Sequence, residues 1–250
     1  LQAQDVTEVK SQDNYHHIAT GDGSKYTSNA VLIATGSSYK RLNIPGEDKY
    51  IGAGIHFCAT CDGPFYKGMP VAVIGGGNSV TEESVFLTKF VEKVTLLVRG
   101  DELTASKILQ DKVLSHPQID VRFNTETVEF LGAESKLKTV VIKDRKSRKI
   151  EEIHPAGVFT FIGQTPNTGF LANSGVETNQ WGFIVSGHSL IHDDPRPAGY
   201  ESRDPALLET SVPGIFAAGD VRVDSTKQVA SAAGEGATAA LLIREYLKSV

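Results

Sequence analysis

An α/β protein built on parallel strands is the architecture this sequence predicts, and two observations carry that prediction. The apolar run VAVIG at 71–75 leads through a glycine-rich turn into helical periodicity over 79–90, and then into a second apolar run at 93–98. That order is a βαβ unit. Near the other end, a strand-like run at 214–218 precedes a long stretch of small residues with helical spacing, 228–247. Strands and helices alternating in this way form parallel sheets covered on both faces.

Taken in order, residues 15–20 and 30–35 read as strands, with the polar GDGS at 21–24 as a hairpin turn. After the βαβ unit a helix is expected over 106–114. Alternating runs then give strands at 121–123, 127–131, 140–143 and 149–154, and an apolar strand at 157–162. The basic stretch KDRKSRK at 143–149 reads as the solvated turn of a hairpin. No internal repeat or low-complexity segment interrupts the chain.

Composition narrows the function classes. At 250 residues, the chain fits one large domain or two modest ones. Its 25 basic and 30 acidic side chains leave a net charge of −5, which gives nucleic acid no electrostatic footprint. Apolar runs such as 239–243 fall far short of the roughly 18 residues of a membrane span. The chain opens on Leu1 and its only methionine is Met69, so a segment upstream of Leu1 is expected. Two cysteines, Cys58 and Cys61, are too few for a disulfide-stapled fold or a four-ligand zinc site, and they favour a reducing, cytoplasmic compartment. No metal site is expected.

Gly75-Gly76-Gly77-Asn78-Ser79-Val80 follows an apolar strand and opens a helix, the context in which a glycine loop holds a dinucleotide. Gly75 makes the turn, Gly77 lets the backbone approach a pyrophosphate, and the helix start meets its charge. Val80 stands where a third glycine or alanine is usual, which should relax the helix-to-strand packing slightly. At the end of the second strand stand Val98 and Arg99 with no carboxylate, and Arg99 offers a planar fork for a 2'-phosphate, favouring NADPH.

Cys58-Ala59-Thr60-Cys61-Asp62-Gly63 places two sulfurs where they can close and open a small ring, with a carboxyl alongside to exchange protons. Half a zinc site, a structural disulfide and two inert thiols are the alternatives. In TSVPGIFAAGD a strand ends at Gly219-Asp220, and a carboxylate there can bind polyol hydroxyls while a following helix faces an electron-rich ring. Ala34-Thr35-Gly36 and Phe161-Ile162-Gly163 are strand-ending turns that also suit a ligand.

The segments IATG, CATCDG, VAVIGGGNS, FIGQTPN, TSVPGIFAAGD and KQVASAAGEGATAA, in this order, resemble the low-molecular-weight thioredoxin reductases of the pyridine nucleotide-disulfide oxidoreductase superfamily, over essentially the whole chain. The resemblance implies two dinucleotide-binding, Rossmann-like domains, the NADPH domain inserted in the FAD domain. Residues 1–40 and 168–250 would be FAD-domain sequence, and 41–167 the insert with its redox disulfide. It implies that Cys61 lies next to the flavin, that Cys58 attacks a thioredoxin disulfide, and that Asp62 handles the thiol proton. Asp220 would bind the ribityl chain of FAD, and Gln228 with Val229 would approach its ring. Gly75, Gly77, Asn78, Ser79 and Arg99 would hold NADPH, and Thr35, Gly36, Gly163 and Gly219 complete the cofactor-binding set.

A thioredoxin-like partner and a homodimer are expected with it. The alternatives are an alkyl hydroperoxide reductase flavoprotein and a non-catalytic NADPH-binding fragment. The sequence departs from the family's pattern in three places. Where the family carries His-Arg-Arg and a further arginine, this chain has Val98, Arg99, Gly100 and Thr104. The segment 187–208 is longer than the pattern and is expected to be a surface loop. The family's first glycine motif is absent, so the chain alone is expected to retain little FAD and to leave apolar surface open near Val31.

Overall fold

The computed structural model describes residues 3–13, 15–191 and 196–250, which form two compact units, Leu1–Ser38 with Gln164–Val250 and Tyr39–Gly163. The chain begins with β1 (Val6–Gln12), β2 (Tyr15–Thr20), β3 (Lys25–Ser28), β4 (Val31–Ile33) and β5 (Ser37–Tyr39). There follow α1 (Glu47–Tyr50), β6 (Ile55–His56), α2 (Ala59–Asp62), β7 (Pro70–Ile74), α3 (Asn78–Leu87), β8 (Lys93–Leu97) and α4 (Lys107–Leu114). Next come β9 (Ile119–Arg122), β10 (Thr125–Ala133), β11 (Lys136–Asp144), β12 (Ile150–Ile153) and β13 (Gly157–Thr160). The chain closes with β14 (Gln164–Pro166), β15 (Ile215–Ala217) and α5 (Val229–Tyr246).

The central unit holds a five-stranded parallel sheet in the order β6-β13-β7-β8-β9. Its strands are buried on both faces, and successive side chains serve opposite cores. Val71, Val73, Val94 and Leu96 face Val80 and Leu87 of α3 and Val113 of α4. Ala72, Ile74, Leu97 and Val158 face Phe130, Leu137, Val140 and Ile142 of the antiparallel sheet β10-β11-β12. The cover on the second face is therefore a sheet. The basic turn at 143–149 joins β11 to β12, and Asp144 holds it by accepting from the amides of Lys146 and Ser147.

In the other unit, β1-β2-β3 form an antiparallel meander and β15 pairs in parallel with β4. The GDGS turn closes β2 onto β3, a strand that the apolar pattern did not reveal because Lys25, Tyr26 and Thr27 face solvent. Val9, Ile33, Leu171, Ile184, Ile215 and Ala217 form the core. Leu32 and Ala34 are exposed, whereas Ile33 is buried.

Residues 192–195 of the long segment lie outside the described residues, and much of the remainder is anchored rather than loose. Tyr200 is fully buried and its hydroxyl donates to the Thr210 carbonyl at 2.7 Å. Arg203 grips the buried carboxylate of Glu209 through two bonds of 2.7 Å, and Glu209 also accepts from the amides of Ala206 and Gly214. Burial would raise the Glu209 carboxyl, but the Arg203 bonds and the two amides outweigh it and hold the group below the ordinary value.

A carboxyl so depressed contributes stability that is present above its unfolded pKa and is lost as pH falls through the folded value. Arg203→Ala should cost about 2 kcal/mol at pH 7, because the buried carboxylate keeps its amide bonds but loses its cation. Urea unfolding should show the difference between variant and parent shrinking at pH values below 4.5. A difference independent of pH would show that Arg203 acts by packing alone.

Candidate active site

At the end of β6 the chain is extended through Cys58 and then turns through α2, so that Cys61 returns to Cys58 and the two form a disulfide. The Cys61 amide donates to Cys58 Sγ at 3.1 Å and the Asp62 amide to the Cys58 carbonyl at 3.1 Å. This single turn aims the Asp62 carboxylate back at His56 on β6, whose Nδ1 lies 3.4 Å from Asp62 Oδ2. On its other side, His56 Nε2 lies 2.6 Å from the Tyr66 hydroxyl. The ring of Phe159 on β13 flanks both, with centroids 5.4 Å from His56 and 5.7 Å from Tyr66.

A carboxylate only accepts and a phenol can donate, so the network fits the tautomer in which Tyr66 donates to Nε2 and Nδ1–H donates to Asp62. Burial pushes the His56 pKa down, and Asp62 offsets this only in part. Burial and the neighbouring Asp62 push the Tyr66 hydroxyl up. His56 and Tyr66 were not legible as site residues. The one available signal was a polar ring, His56, between Ile55 and Phe57 on an apolar strand.

In the same unit, Gly75 has φ 146° and a Cβ there would lie 2.5 Å from the Phe161 carbonyl oxygen, so only glycine makes this turn. Val80 is fully buried beside Gly75, where its methyl group would lie 3.2 Å from a Cβ at position 75. A Cβ on Gly77 would meet nothing closer than Thr104 Oγ1 at 3.8 Å, and no side chain caps α3. The helix start therefore has room and free donors for an oxyanion, which fits a pyrophosphate. The Asn78 side chain is used differently from Ser79: its Oδ1 accepts from the Ser106 amide at 2.8 Å. Thr104 donates twice to the Gly76 carbonyl, so it stitches the 104–106 loop to the glycine turn. Arg99 is exposed at the end of β8, beyond the buried Val98. Gly163 has φ 100°, and its carbonyl accepts from the Lys40 amide.

The unit of residues 1–38 and 164–250 carries the remaining predicted residues. Thr35 donates to the Asn167 carbonyl at 2.7 Å, Asn167 returns a bond to the Thr35 carbonyl, and the Asn167 amide donates to Gly36. Gly219, with φ 77°, follows β15 after Ala218, and its amide donates to Glu235 on α5. Arg222 clasps the same Glu235 carboxylate, while Lys227 donates to the carbonyls of Asp220 and Arg222. Asp220 thus stands at a strand end with its backbone fixed. Its Oδ1 accepts from the Ser225 hydroxyl at 3.5 Å, and the carboxylate has further acceptor capacity for the hydroxyls of a polyol. Val229 in the first turn of α5 is 87 % exposed. Arg222, Lys227 and Glu235, which hold the turn, lacked a recognisable spacing in the sequence.

A parallel-sheet unit with a glycine-rich helix start and a disulfide turn defines a nucleotide-binding protein of the disulfide-exchanging class. The chain belongs to the pyridine nucleotide-disulphide oxidoreductase family, whose pattern matches residues 1–236. It is 38 % identical over 247 residues to a thioredoxin reductase of Treponema pallidum, covering 99 % of this chain and 73 % of that protein. It is 40 % identical over 232 residues to a subunit of the alkyl hydroperoxide reductase of Escherichia coli, covering 93 % of this chain but 41 % of that protein. Among solved structures, the thioredoxin reductase of Streptococcus pyogenes superposes with a TM-score of 0.85 at 34 % identity, covering 99 % of this chain and 74 % of that one. That of Giardia duodenalis gives 0.86 at 30 % identity, covering 99 % and 75 %. No helix among the described residues is long and apolar enough to cross a membrane.

The His56 geometry generates a test by NMR. His56 should titrate below the ordinary value of 6.5, and Asp62→Asn should lower it further by removing the carboxylate that favours the imidazolium. Gly157→Ala, whose Cβ would collide with the Tyr66 ring, should abolish the shift of Tyr66 while leaving the Asp62 contact. A His56 pKa that rises in Asp62→Asn would contradict the pairing.

Proposed function

We propose that this chain is a flavin-dependent thioredoxin-disulfide reductase that takes electrons from NADPH and delivers them through Cys58–Cys61 to a thioredoxin-like protein. The observation that carries the reading is the disulfide turn itself: a two-residue spacer closes Cys58 on Cys61, and the turn's last residue, Asp62, faces a largely buried imidazole, His56, at 3.4 Å. NADPH would lie on the Gly75–Gly77 turn and the first amides of α3, with Ser79 in the first turn and Asn78 fixing the loop beside it. FAD would rest on Asp220 and the start of α5 near Gln228 and Val229, with Thr35, Gly36 and Gly219 shaping the turns around it. When bound, FAD supplies the passage of a two-electron equivalent from the nicotinamide to the disulfide.

The protein's own residues do the rest. Two electrons and two protons convert the Cys58–Cys61 disulfide to two thiols. Asp62 holds or accepts a proton at the thiol it adjoins, and neutral His56 keeps its carboxylate oriented without adding a charge. The Cys58 thiolate then attacks one sulfur of the partner's disulfide and displaces the other as a thiolate. Cys61 attacks Cys58 in turn, which restores the internal disulfide and releases the partner with two thiols. Arg99 supplies a charge-assisted contact to the 2'-phosphate, worth about 1.5–3 kcal/mol.

Cys58→Ser and Cys61→Ser should each abolish thioredoxin reduction while NADPH still bleaches the flavin absorbance of the loaded protein. Disulfide reduction surviving in either variant would sink the reading. Turnover with a peroxiredoxin-type acceptor but not with thioredoxin would move the function to the alkyl hydroperoxide reductase class. Thiol titration supplies a simpler check: two thiols should appear with a mild dithiol reductant and vanish on reoxidation.

A further inference from the structure

Of the nine arginines in the sequence, six stand within 4.0 Å of a carboxylate: Arg41, Arg122, Arg196, Arg203, Arg222 and Arg244. The other three, Arg99, Arg145 and Arg148, form no ion pair among the described residues, and they lie at the end of β8 and on the β11–β12 turn. These two places are joined. Arg145 Nη1 donates to the Arg99 carbonyl at 2.9 Å, which seats its guanidinium on the tip of β8. The backbone locks the placement: the Thr125 amide donates to Val98, the Asn124 amide to Gly100 at 2.7 Å, and the Arg145 amide to Asn124 at 2.7 Å. The neighbouring acid, Asp144, is engaged by the amides of Lys146 and Ser147 and by the Ser147 hydroxyl. Asp101 and Glu102 lie close after Arg99, but among the described residues neither forms an ion pair with Arg99 or Arg145.

The geometry points to Arg145 as a coenzyme-specificity residue, the second cation of a 2'-phosphate subsite at the end of β8. This rests on the reading of the glycine turn as an NADPH site. In a βαβ dinucleotide unit the ribose 2' position lies at the end of the second strand, about 20 residues past the glycines. Gly100 and Thr104, where the family's pattern has arginines, offer no charge there, and the Thr104 hydroxyl is committed to Gly76. A guanidinium has five donors, and the bond to the Arg99 carbonyl uses one, leaving four for an oxyanion. Two cations without counter-ions at one strand end repel each other unless an anion lies between them. A phosphate monoester, with about −1.5 to −2 charge, fits that need.

The test is calorimetric titration of the 250-residue chain with 2',5'-ADP and with 5'-AMP, which differ only in the 2'-phosphate. The parent should bind 2',5'-ADP at least about tenfold more tightly, and Arg145→Ala should lose about tenfold on 2',5'-ADP with 5'-AMP affinity unchanged. Arg145→Gln keeps an N–H donor for the Arg99 carbonyl but no charge, and it should lose as much as alanine. Lys146→Ala on the same turn should lose little. If Arg99→Ala weakens 2',5'-ADP binding and Arg145→Ala does not, the assignment of Arg145 is overturned and the NADPH reading stands. If Arg145→Gln retains parental affinity, or if Arg145→Ala weakens both ligands alike, Arg145 only braces the turn and the inference is likewise overturned. Equal affinities in the parent overturn the 2'-phosphate subsite altogether. Failure of the parent to bind either ligand overturns the glycine-turn reading and this inference with it.

Discussion

Everything in the central unit depends on one close approach, the passage of β7 into α3 beneath the end of β13. The Phe161 amide donates to the Ile74 carbonyl at 2.9 Å, and the Gly75 amide to the Leu97 carbonyl at 3.2 Å, so the ends of three parallel strands converge on one residue. No side chain fits there, because the space a Cβ would take is already filled by the Phe161 carbonyl. The backbone therefore turns at φ 146°, and α3 starts where its first amides point outward beyond the strand ends. Thr104 and Asn78 then draw the 104–106 loop onto the same point, which closes one side of the cradle. One steric constraint thus sets both the phosphate cradle and its distance from the tip of β8.

The disulfide turn inherits its geometry from a different register. Ile55 and His56 pair in parallel with Val158 and Phe159, which sets the imidazole beside the Phe159 ring, and the bare α-carbon of Gly157 leaves room for Tyr66. Burial then selects the neutral imidazole. Such a ring accepts through one nitrogen and donates through the other, so it transmits the position of Tyr66 to Asp62 without placing a second charge next to the sulfurs. A permanently charged side chain at position 56 would orient Asp62 equally well, but it would need to be desolvated among aromatic rings.

Much of this was legible in the sequence. The βαβ unit, the hairpin at 143–149 and the last helix followed from periodicity, because buried parallel strands and small-residue helices leave unbroken apolar or small-residue runs. The glycine turn was legible because φ 146° admits one residue type. Val80 stands where a third glycine or alanine is usual, and a spacing rule says nothing about volume; the valine is fully buried beside Gly75. What stayed hidden were pairings across long separations. Arg203 with Glu209, and Arg222 with Glu235, are six and thirteen residues apart with no helical register between them. Arg145 and Arg99 are 46 apart. A lone charged residue reads as solvated until the fold shows what it faces, which is why 143–149 read only as a turn.

That turn also shows how an acidic protein can meet a phosphate. The net charge of −5 acts at long range and discourages polyanions, but salt screens charges beyond about 8 Å at physiological ionic strength. Inside that distance the local balance decides. Most of the arginines have their charge neutralised by a neighbouring carboxylate, and neutralised pairs add little to the potential outside them. At the end of β8 the nearby Asp144 pairs with neither Arg99 nor Arg145 among the described residues; its Oδ1 instead accepts from the Lys146 and Ser147 amides and the Ser147 hydroxyl. Asp144 therefore serves the site through the backbone: the three bonds to its Oδ1 fix the turn that carries Arg145, and the turn holds that guanidinium on the tip of β8 where a coenzyme phosphate would meet it.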